Sequence, residues 1–312
     1  MKRTVLMVLV IIGMTLLGGC LSMNDENGDD QNEQTDDSSY ENSDRYVSVQ
    51  EYTGEGYTLA NGKENDRIAN DNREVIEEAV KDFFQEEYKT EVSVHQIVGN
   101  KDGATVFVES VGEPHFYTYA VIPINQATKE IVTEGVFTQE GQVENAIMAG
   151  VYGMVFEEEF NNLTNLIQEV ASKHKLVGKN SEIMSLGANR FSNEYYSVTI
   201  FNSDTSDVFQ RVIKEYLDES NKNYEEWTQL VKKEEIDPQN VAISIKLFMR
   251  QKQIDPSPNA LKELKETLKD NDNIPTGAYN IYIHDNLIDK ITATGDKENS
   301  IEWAFPNELI KK

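Results

Sequence analysis

The chain has 312 residues, a formal net charge of −26, a pI near 4.5 and one cysteine. This excess of carboxylates argues against binding to nucleic acid, which depends on Lys and Arg neutralising phosphates. It argues equally against direct adhesion to anionic lipid or to phosphate-rich wall polymers. A lone cysteine cannot form an intrachain disulfide, so a hydrophobic core must hold the fold, and the chain is long enough to build one.

The N-terminus has the pattern of a secretory signal peptide over residues 1–19. Residues 1–3 carry positive charge, and the apolar run 5–17 is shorter than the ~20 residues that a membrane-spanning helix needs. Residues 17–20 (LGGC) resemble the lipobox of bacterial lipoproteins, which implies cleavage before Cys20 and diacylglycerol on its sulfur. Two acyl chains anchor firmly where one anchors only marginally. We therefore expect a lipid-anchored protein on the extracytoplasmic face of the cell membrane; an ordinary signal peptide or an uncleaved anchor is the alternative.

Residues 20–45 combine this cysteine with an acidic tether. Between Ser22 and Asp44 the chain has nine carboxylates, no Lys or Arg, and almost no apolar residue. Such a segment cannot bury enough surface to offset the entropy of ordering, so we expect it to be disordered. A calcium loop at 25–30 fails because Met23 stands where the first ligand should be. The tether should reach roughly 28 Å, at about 5–6 Å × √n, which lifts a folded domain clear of the headgroups.

Residues 46–174 are predicted to form a first α+β unit. Residues 46–59 indicate a short strand followed by a glycine turn, and residues 70–88 have the spacing of an amphipathic helix. Four strands are expected next, over residues 91–98, 104–111, 116–124 and 131–137. Their short, glycine-containing connections favour an antiparallel meander.

A long helix should close this unit. Thr138 is its candidate N-cap, and the stretch 146–156 is apolar all round before an apolar stripe continues to Val170. This stretch is too short to cross a membrane and runs into three glutamates. We therefore interpret it as a buried helix in which Gly150 and Gly153 permit close backbone contact.

Residues 175–312 are predicted to form a second α+β unit, with the boundary in the Gly-, Asn-, Ser- and Lys-rich stretch 175–189. Ser257-Pro258 has the N-cap and N1 residues of a helix start. The predicted elements are strands over 195–201, 241–249, 278–284 and 287–294, and helices over 207–217, 224–233 and 261–268. The last two strands should form a hairpin around Asp285-Asn286. The fold class is therefore α+β, with two helix-on-antiparallel-sheet units after the tether.

The block from Tyr46 to Tyr57 (YVSVQEYTGEGY), preceded by a lipobox and a polar tether, resembles a family of uncharacterised lipoproteins from low-GC Gram-positive bacteria. The similarity continues through the first helix and the strand 94–99. This resemblance implies a surface lipoprotein with lipid on Cys20, and it supplies no catalytic residue.

Catalytic, cofactor and metal motifs fail when they are tested against the sequence. The four histidines (95, 115, 174 and 284) are scattered without an HExxH pair, no GxSxG occurs, and the only thiol is that of Cys20. Gly178-Lys179 is followed by Asn180, where a phosphate loop needs Ser or Thr. We therefore predict no cofactor, no metal and no catalytic residue.

One cluster of aromatic and polar side chains is a candidate binding surface, because Tyr recurs at recognition surfaces. Its members are Tyr52, Tyr57, His115 and Tyr117, with Phe116 and Tyr119 beside them. The alternative is that they are half-buried strand residues. The favoured function is a non-enzymatic binding or interaction module whose protein or small-molecule partner stays unidentified. A solute-binding component of a transporter and a hydrolase without a recognisable motif remain open.

Overall fold

The computed structural model describes Tyr40 and residues 43–186, 190–201 and 206–312, which belong to one compact unit, Ser38–Lys312. Its α-helices are α1 Lys63–Asp71, α2 Arg73–Tyr88, α3 Gln142–Val155, α4 Glu157–His174, α5 Ser181–Ser185, α6 Asp207–Asp218, α7 Tyr224–Leu230 and α8 Pro258–Asp270. Its strands are β1 Tyr46–Ser48, β2 Val92–Gly99, β3 Gly103–Ser110, β4 Tyr117–Asn125, β5 Glu130–Ile131, β6 Leu176–Val177, β7 Phe191–Ser192, β8 Tyr196–Ile200, β9 Val241–Met249, β10 Gly277–His284, β11 Leu287–Asp289, β12 Ile301–Trp303 and β13 Leu309–Lys311. Helices on mainly antiparallel sheets confirm the α+β class.

Strands β2 to β5 form the predicted antiparallel meander. The strand expected over 131–137 is interrupted: β5 covers Glu130–Ile131, a 3-10 turn follows at Thr133–Gly135, and Phe137 then makes an isolated bridge to Val121. The preceding helix is divided into α1 and α2 at Asn72, whose side-chain amide donates to the carbonyl of Ile68 at 2.8 Å. The helix expected over 70–88 is confirmed as α2, whereas α1 before it was not predicted.

The apolar helix predicted after the meander is buried, as expected: eleven of the fourteen residues of α3 are buried. Its start was predicted wrongly. α3 follows Gly141, whose φ of +75° suits glycine, whereas the Thr138 hydroxyl lies 3.1 Å from the Tyr88 hydroxyl and caps nothing. Gly150 permits a close approach, because a Cβ there would lie 2.9 Å from the carbonyl oxygen of His115.

The larger sheet has the order β12-β10-β9-β8-β7, with β13 also on β10 and β6 on β9. β9 and β10 are parallel neighbours, which the sequence analysis did not anticipate, and α8 is the crossover that such a pair requires. The start of α8 is confirmed, since the Ser257 hydroxyl accepts from the backbone N–H of Ala260.

The predicted hairpin around Asp285-Asn286 is wrong. The Asn286 amide donates to the carbonyls of Met249 and Arg250, which turns the chain away from β10. The next strand, β11, is only Leu287–Asp289 and pairs antiparallel with β1. Arg45 secures this pairing by donating to Asp289 Oδ2 at 2.8 and 2.5 Å.

The strands at the centre of the large sheet have one apolar face and one polar face, as alternation in a strand dictates. Ile243, Ile245 and Leu247 of β9 are fully buried, and α3, α4 and α8 contribute to the same hydrophobic cluster. Ser244 and Lys246 face the other way, where Ser197 of β8 pairs with Ser244 and Tyr282 of β10 pairs with Lys246. This polar face positions the candidate site.

The main hydrophobic cluster includes residues from both sides of position 175, and the Tyr152 hydroxyl donates to the carbonyl of Thr276. A division into two domains at residue 175 stays a prediction. None of the helices in the described part of the chain is both long and apolar enough to cross a membrane.

Candidate functional site

Tyr52, the first of the predicted aromatic residues, is part of the core. It is 2% exposed and packs in a small apolar cluster with Val49, Ile183, Phe248 and Ile288. Burial raises its pKa to about 12, and its hydroxyl donates to the carbonyl of Lys290 at 3.3 Å. Tyr52 is therefore a buried residue outside the strands, neither part of an exposed surface nor a half-buried strand residue.

His115 and Tyr117 lie at a carboxylate that two histidines share. His95 Nε2 and His115 Nε2 each lie 2.6 Å from an oxygen of Glu109. Burial favours the neutral carboxyl, but the hydrogen bonds with His115 and His95 outweigh it and lower the pKa of Glu109. The Tyr117 ring contacts the His115 ring edge-on, at a centroid distance of 5.2 Å.

Tyr57 and Tyr117 meet at Arg190, a residue that the sequence analysis did not select. Tyr117 exchanges both backbone hydrogen bonds with Arg190, and both tyrosines interact electrostatically with its guanidinium. Tyr57 packs edge-on against Phe107 and lines a cavity together with Arg190. Of the four predicted residues, Tyr57 alone lines this cavity, whereas Tyr117 lies beside it through its backbone pairing with Arg190.

The cavity, which we call the cationic pocket, has a volume of about 220 Å³ and lies on the polar face of the large sheet. Its described lining residues include three cations, four hydroxyl-bearing residues and no carboxylate. They are Tyr57, Lys179, Ile183, Leu186, Arg190, Ser197, Lys246, Phe248, Thr292, Ala293, Thr294 and Gly295. Gly295 permits this packing, because a Cβ there would lie 2.4 Å from the Phe248 ring.

Lys179 is the most deeply buried of the three cations. The residue is 8% exposed, and its Nζ makes one hydrogen bond among the described residues, a long one of 3.4 Å to Ser192 Oγ. Burial lowers the pKa of Lys179 well below its usual value, and the nearby charges of Arg190 and Lys246 lower it further. Within the described part of the chain, no carboxylate lies within ion-pair distance of Nζ.

Arg190 and Lys246 complete the positive charge. The Nε of Arg190 is shielded from solvent and has no hydrogen-bond partner among the described residues. Burial lowers the pKa of Arg190, although Tyr117 and Tyr57 partly oppose the shift. Lys246 is more open: its Nζ lies 5.2 Å from the centroid of the Tyr282 ring and 3.7 Å from Asp296 Oδ2. Two of the three cations thus lack a described acidic partner.

Little in the amino-acid sequence indicates this pocket. Lys179 entered only through the phosphate-loop test that Asn180 fails, and Lys246 stands in a strand whose alternation predicts an ordinary polar face. Asn180 instead caps α5, accepting from the backbone N–H of Ile183 at 3.0 Å.

A larger groove of about 810 Å³ opens on the opposite side of β8, since Tyr196 lines the groove and the next residue, Ser197, lines the pocket. Phe160, Phe191 and Tyr196 provide aromatic walls, and Phe160 stacks on Tyr196 at 5.3 Å. Two glutamates, Lys222 and several amides and hydroxyls line most of the rest, together with Gly153 and Met154. Its charge is mixed, unlike that of the pocket.

Among the described residues, no group of three or more His, Cys, Asp or Glu side chains is arranged to hold a metal ion. The other two histidines are each engaged: His174 Nε2 lies 2.8 Å from Glu263, and His284 Nδ1 lies 2.9 Å from Ser300 Oγ. Cys20, the predicted lipid-attachment residue, lies outside the described residues.

Comparison with known proteins assigns the family. Residues 39–311 match the family described as "Protein of unknown function (DUF1672)". The chain belongs to this family. The crystal structure of a DUF1672 family protein from Staphylococcus aureus subsp. aureus Mu50, at 1.80 Å resolution, matches with a TM-score of 0.65 and 22% identity, over 83% of this chain and 96% of that one. At this identity the likeness shows a shared fold alone.

None of the curated proteins matches the chain. The DUF1672 match confirms the resemblance to a family of unknown function that the block at residues 46–57 indicated.

Proposed function

We propose that this DUF1672 chain is a lipid-anchored, non-enzymatic binding module on the extracytoplasmic face of the membrane, and that its ligand places an anionic group in the cationic pocket. The observation that carries the proposal is Lys179, a buried lysine without a described carboxylate partner. Burying the protonated form of a lysine costs several kcal/mol unless another charge compensates it, and this cost is why burial lowers the pKa of Lys179.

The composition of the chain strengthens this argument. Asp and Glu number 55 against 29 Lys and Arg, so a random neighbour of a buried lysine is far more often an acid than a base. The pocket nevertheless places Lys179 with Arg190 and Lys246. A bound anion would supply the missing compensation, and charge-assisted hydrogen bonds from these groups are among the strongest that side chains form.

The binding test uses the full-length chain purified in detergent, with sulfate added at constant ionic strength. We expect sulfate to raise the unfolding temperature saturably, since a ligand that binds only the native state stabilises it by about 2.7 kcal/mol at 100 times its Kd. Lys179→Met should remove this response. Lys252→Met is the matched control, because Lys252 is 56% exposed and pairs with Glu51. An unchanged response in Lys179→Met would overturn the pocket assignment.

The anchoring part of the proposal is supported by the lipobox pattern that ends at Cys20 and by the acidic tether behind it. Cys20→Ala should release the protein into the medium or leave it unprocessed. Metabolic lipid labelling that persists unchanged in this variant would refute attachment at Cys20.

A solute-binding component of a transporter is the second candidate, because the 810 Å³ groove falls within the range of roughly 300–1,000 Å³ that small-molecule sites occupy. Phe191 is the natural probe, since its ring lies over Gly153 and contributes a wall of the groove. A solute whose binding is lost in Phe191→Ala but retained in Lys179→Met would favour this second function.

A further inference from the structure

We infer that the anionic group that enters the cationic pocket is a compact tetrahedral dianion, namely the terminal phosphoryl group of a phosphomonoester. This inference rests on the proposed anion-binding function and names the chemical class of its ligand. It follows from the charge of the pocket, from its size and from the kinds of donor that line it.

The charge count favours a dianion. Lys179 and Arg190 have no carboxylate partner among the described residues, whereas Lys246 already lies 3.7 Å from Asp296. When Lys179 is protonated, two positive charges without a described counter-charge share the pocket, and a bound monoanion would compensate only one of them. A phosphomonoester carries about −1.5 to −2 at pH 7, whereas phosphodiesters, sulfate esters and simple carboxylates carry one charge.

The size of the pocket excludes a large dianion. At about 220 Å³ it is smaller than the roughly 300–1,000 Å³ that a whole drug-sized ligand needs, so it can enclose a headgroup and not an extended molecule. A dicarboxylate long enough to separate its charges would not fit as well as a single phosphoryl group, which concentrates both charges on one centre.

The donors also suit a phosphoryl group, which offers three strong acceptor oxygens. A guanidinium binds phosphate through two parallel N–H donors, and Arg190 has a buried Nε without a described partner. Around it stand Lys179 and the hydroxyls of Tyr57 and Ser197, on different elements of the fold. Donors that converge from several sides match a tetrahedral group better than a planar carboxylate.

The same phosphoryl group could belong to a soluble phosphomonoester or to the headgroup of phosphatidic acid in the membrane that the chain is expected to occupy. The two sources share their chemistry. The soluble probe is glycerol 3-phosphate. The membrane probes are vesicles of phosphatidylcholine that contain phosphatidic acid or, as a diester control, phosphatidylglycerol.

The experiment measures Kd by calorimetry for the full-length chain in detergent at pH 8 and constant ionic strength. The probes are glycerol 3-phosphate, sulfate, dimethyl phosphate and acetate. We expect both dianions to bind at least tenfold more tightly than dimethyl phosphate and acetate, and Lys179→Met to lose at least tenfold in affinity for glycerol 3-phosphate. Lys252→Met should bind as the wild type does. Vesicle co-sedimentation of the Cys20→Ala chain, which lacks the expected lipid and is used without detergent, then assigns the source, since only a membrane ligand retains that chain on phosphatidic acid and not on phosphatidylglycerol.

A pH comparison tests the dianion directly. Lowering the pH from 8 to 5 converts the phosphomonoester to its monoanion, whereas sulfate stays a dianion. We therefore expect affinity for glycerol 3-phosphate to fall at least fivefold relative to sulfate. Acetate that binds as tightly as glycerol 3-phosphate would overturn the phosphoryl assignment but leave the anion site intact. No saturable binding of any of the four anions would overturn the proposed function as well.

Discussion

Two lysines are buried beside the same polar sheet face, and they differ in what surrounds them. Lys297 has a side chain that is 2% exposed, and its Nζ lies 2.8 Å from Asp285 Oδ1 while donating to the carbonyls of Leu287 and Gly295. Lys179 is buried to a similar degree but has only the hydroxyl of Ser192 at 3.4 Å. The fold compensates the first charge internally, whereas the second has no carboxylate partner among the described residues.

This difference separates a structural lysine from a candidate ligand-binding one. Removing one partner of a satisfied buried pair leaves an uncompensated charge, whereas removing an unsatisfied charge relieves a cost. The free energy of unfolding should therefore change in opposite directions when each lysine is replaced.

The largest expected effect is that of Lys297→Met. It leaves the partly buried Asp285 without its cation and removes two hydrogen bonds to backbone carbonyls, so we expect a loss of about 3–5 kcal/mol in the free energy of unfolding. Urea denaturation checks this value. A loss below about 1 kcal/mol would show that the ion pair of Lys297 does not stabilise the fold as we expect.

Tyr52→Ala should be nearly as damaging, at about 3 kcal/mol, because it opens a cavity in the small apolar cluster that includes Ile183 and Phe248 of the pocket wall. The half-exposed Tyr57 should cost much less when it is replaced by alanine. Thermal unfolding checks this value. Equal stability of Tyr52→Ala and the wild type would show that Tyr52 is not a core residue.

A third test uses His284, which is fully buried below Gly295. Burial lowers its pKa from 6.5 to about 4; Asp296 and Asp285 oppose the shift, and Lys246 and Lys297 add to it. Between pH 4 and pH 6.5, His284 is protonated in the unfolded chain and neutral in the folded chain. The stabilisation is therefore complete above pH 6.5 and is lost as the pH falls towards 4, by about 3 kcal/mol.

His284→Asn is the matched variant for that measurement, since its amide does not titrate and can still reach Ser300. The difference in unfolding free energy between wild type and variant should narrow from pH 7 to pH 4. A constant difference across this range would show that the buried imidazole does not control the acid sensitivity.

The smallest effect, and the one of opposite sign, is expected for Lys179→Met. Without ligand, we expect the free energy of unfolding to rise by about 1–3 kcal/mol, because an apolar side chain of similar length replaces an unpaired buried charge. Urea denaturation in anion-free buffer measures it. Destabilisation would mean that the fold itself uses Lys179.

Much of the fold could be predicted from local patterns. The meander of β2 to β5, the burial of α3, the start of α8 at Ser257-Pro258 and the α+β class all followed from periodicity, caps and turns. The errors lie where distant segments compete for the chain. β10 pairs in parallel with β9 rather than in a hairpin with β11, because α8 supplies the crossover and β1 takes β11 as its partner.

The sequence by itself determined the charge balance and the alternation that gives β9 one apolar and one polar face, and it predicts the anchor at Cys20. Only the tertiary structure decided that Lys179, Arg190 and Lys246 share a cavity. They come from the loop after β6, the residue before β7 and the middle of β9, so no local spacing relates them. Strand pairing brings them together, and the shielding of the pocket from water turns three ordinary basic residues into a candidate anion site.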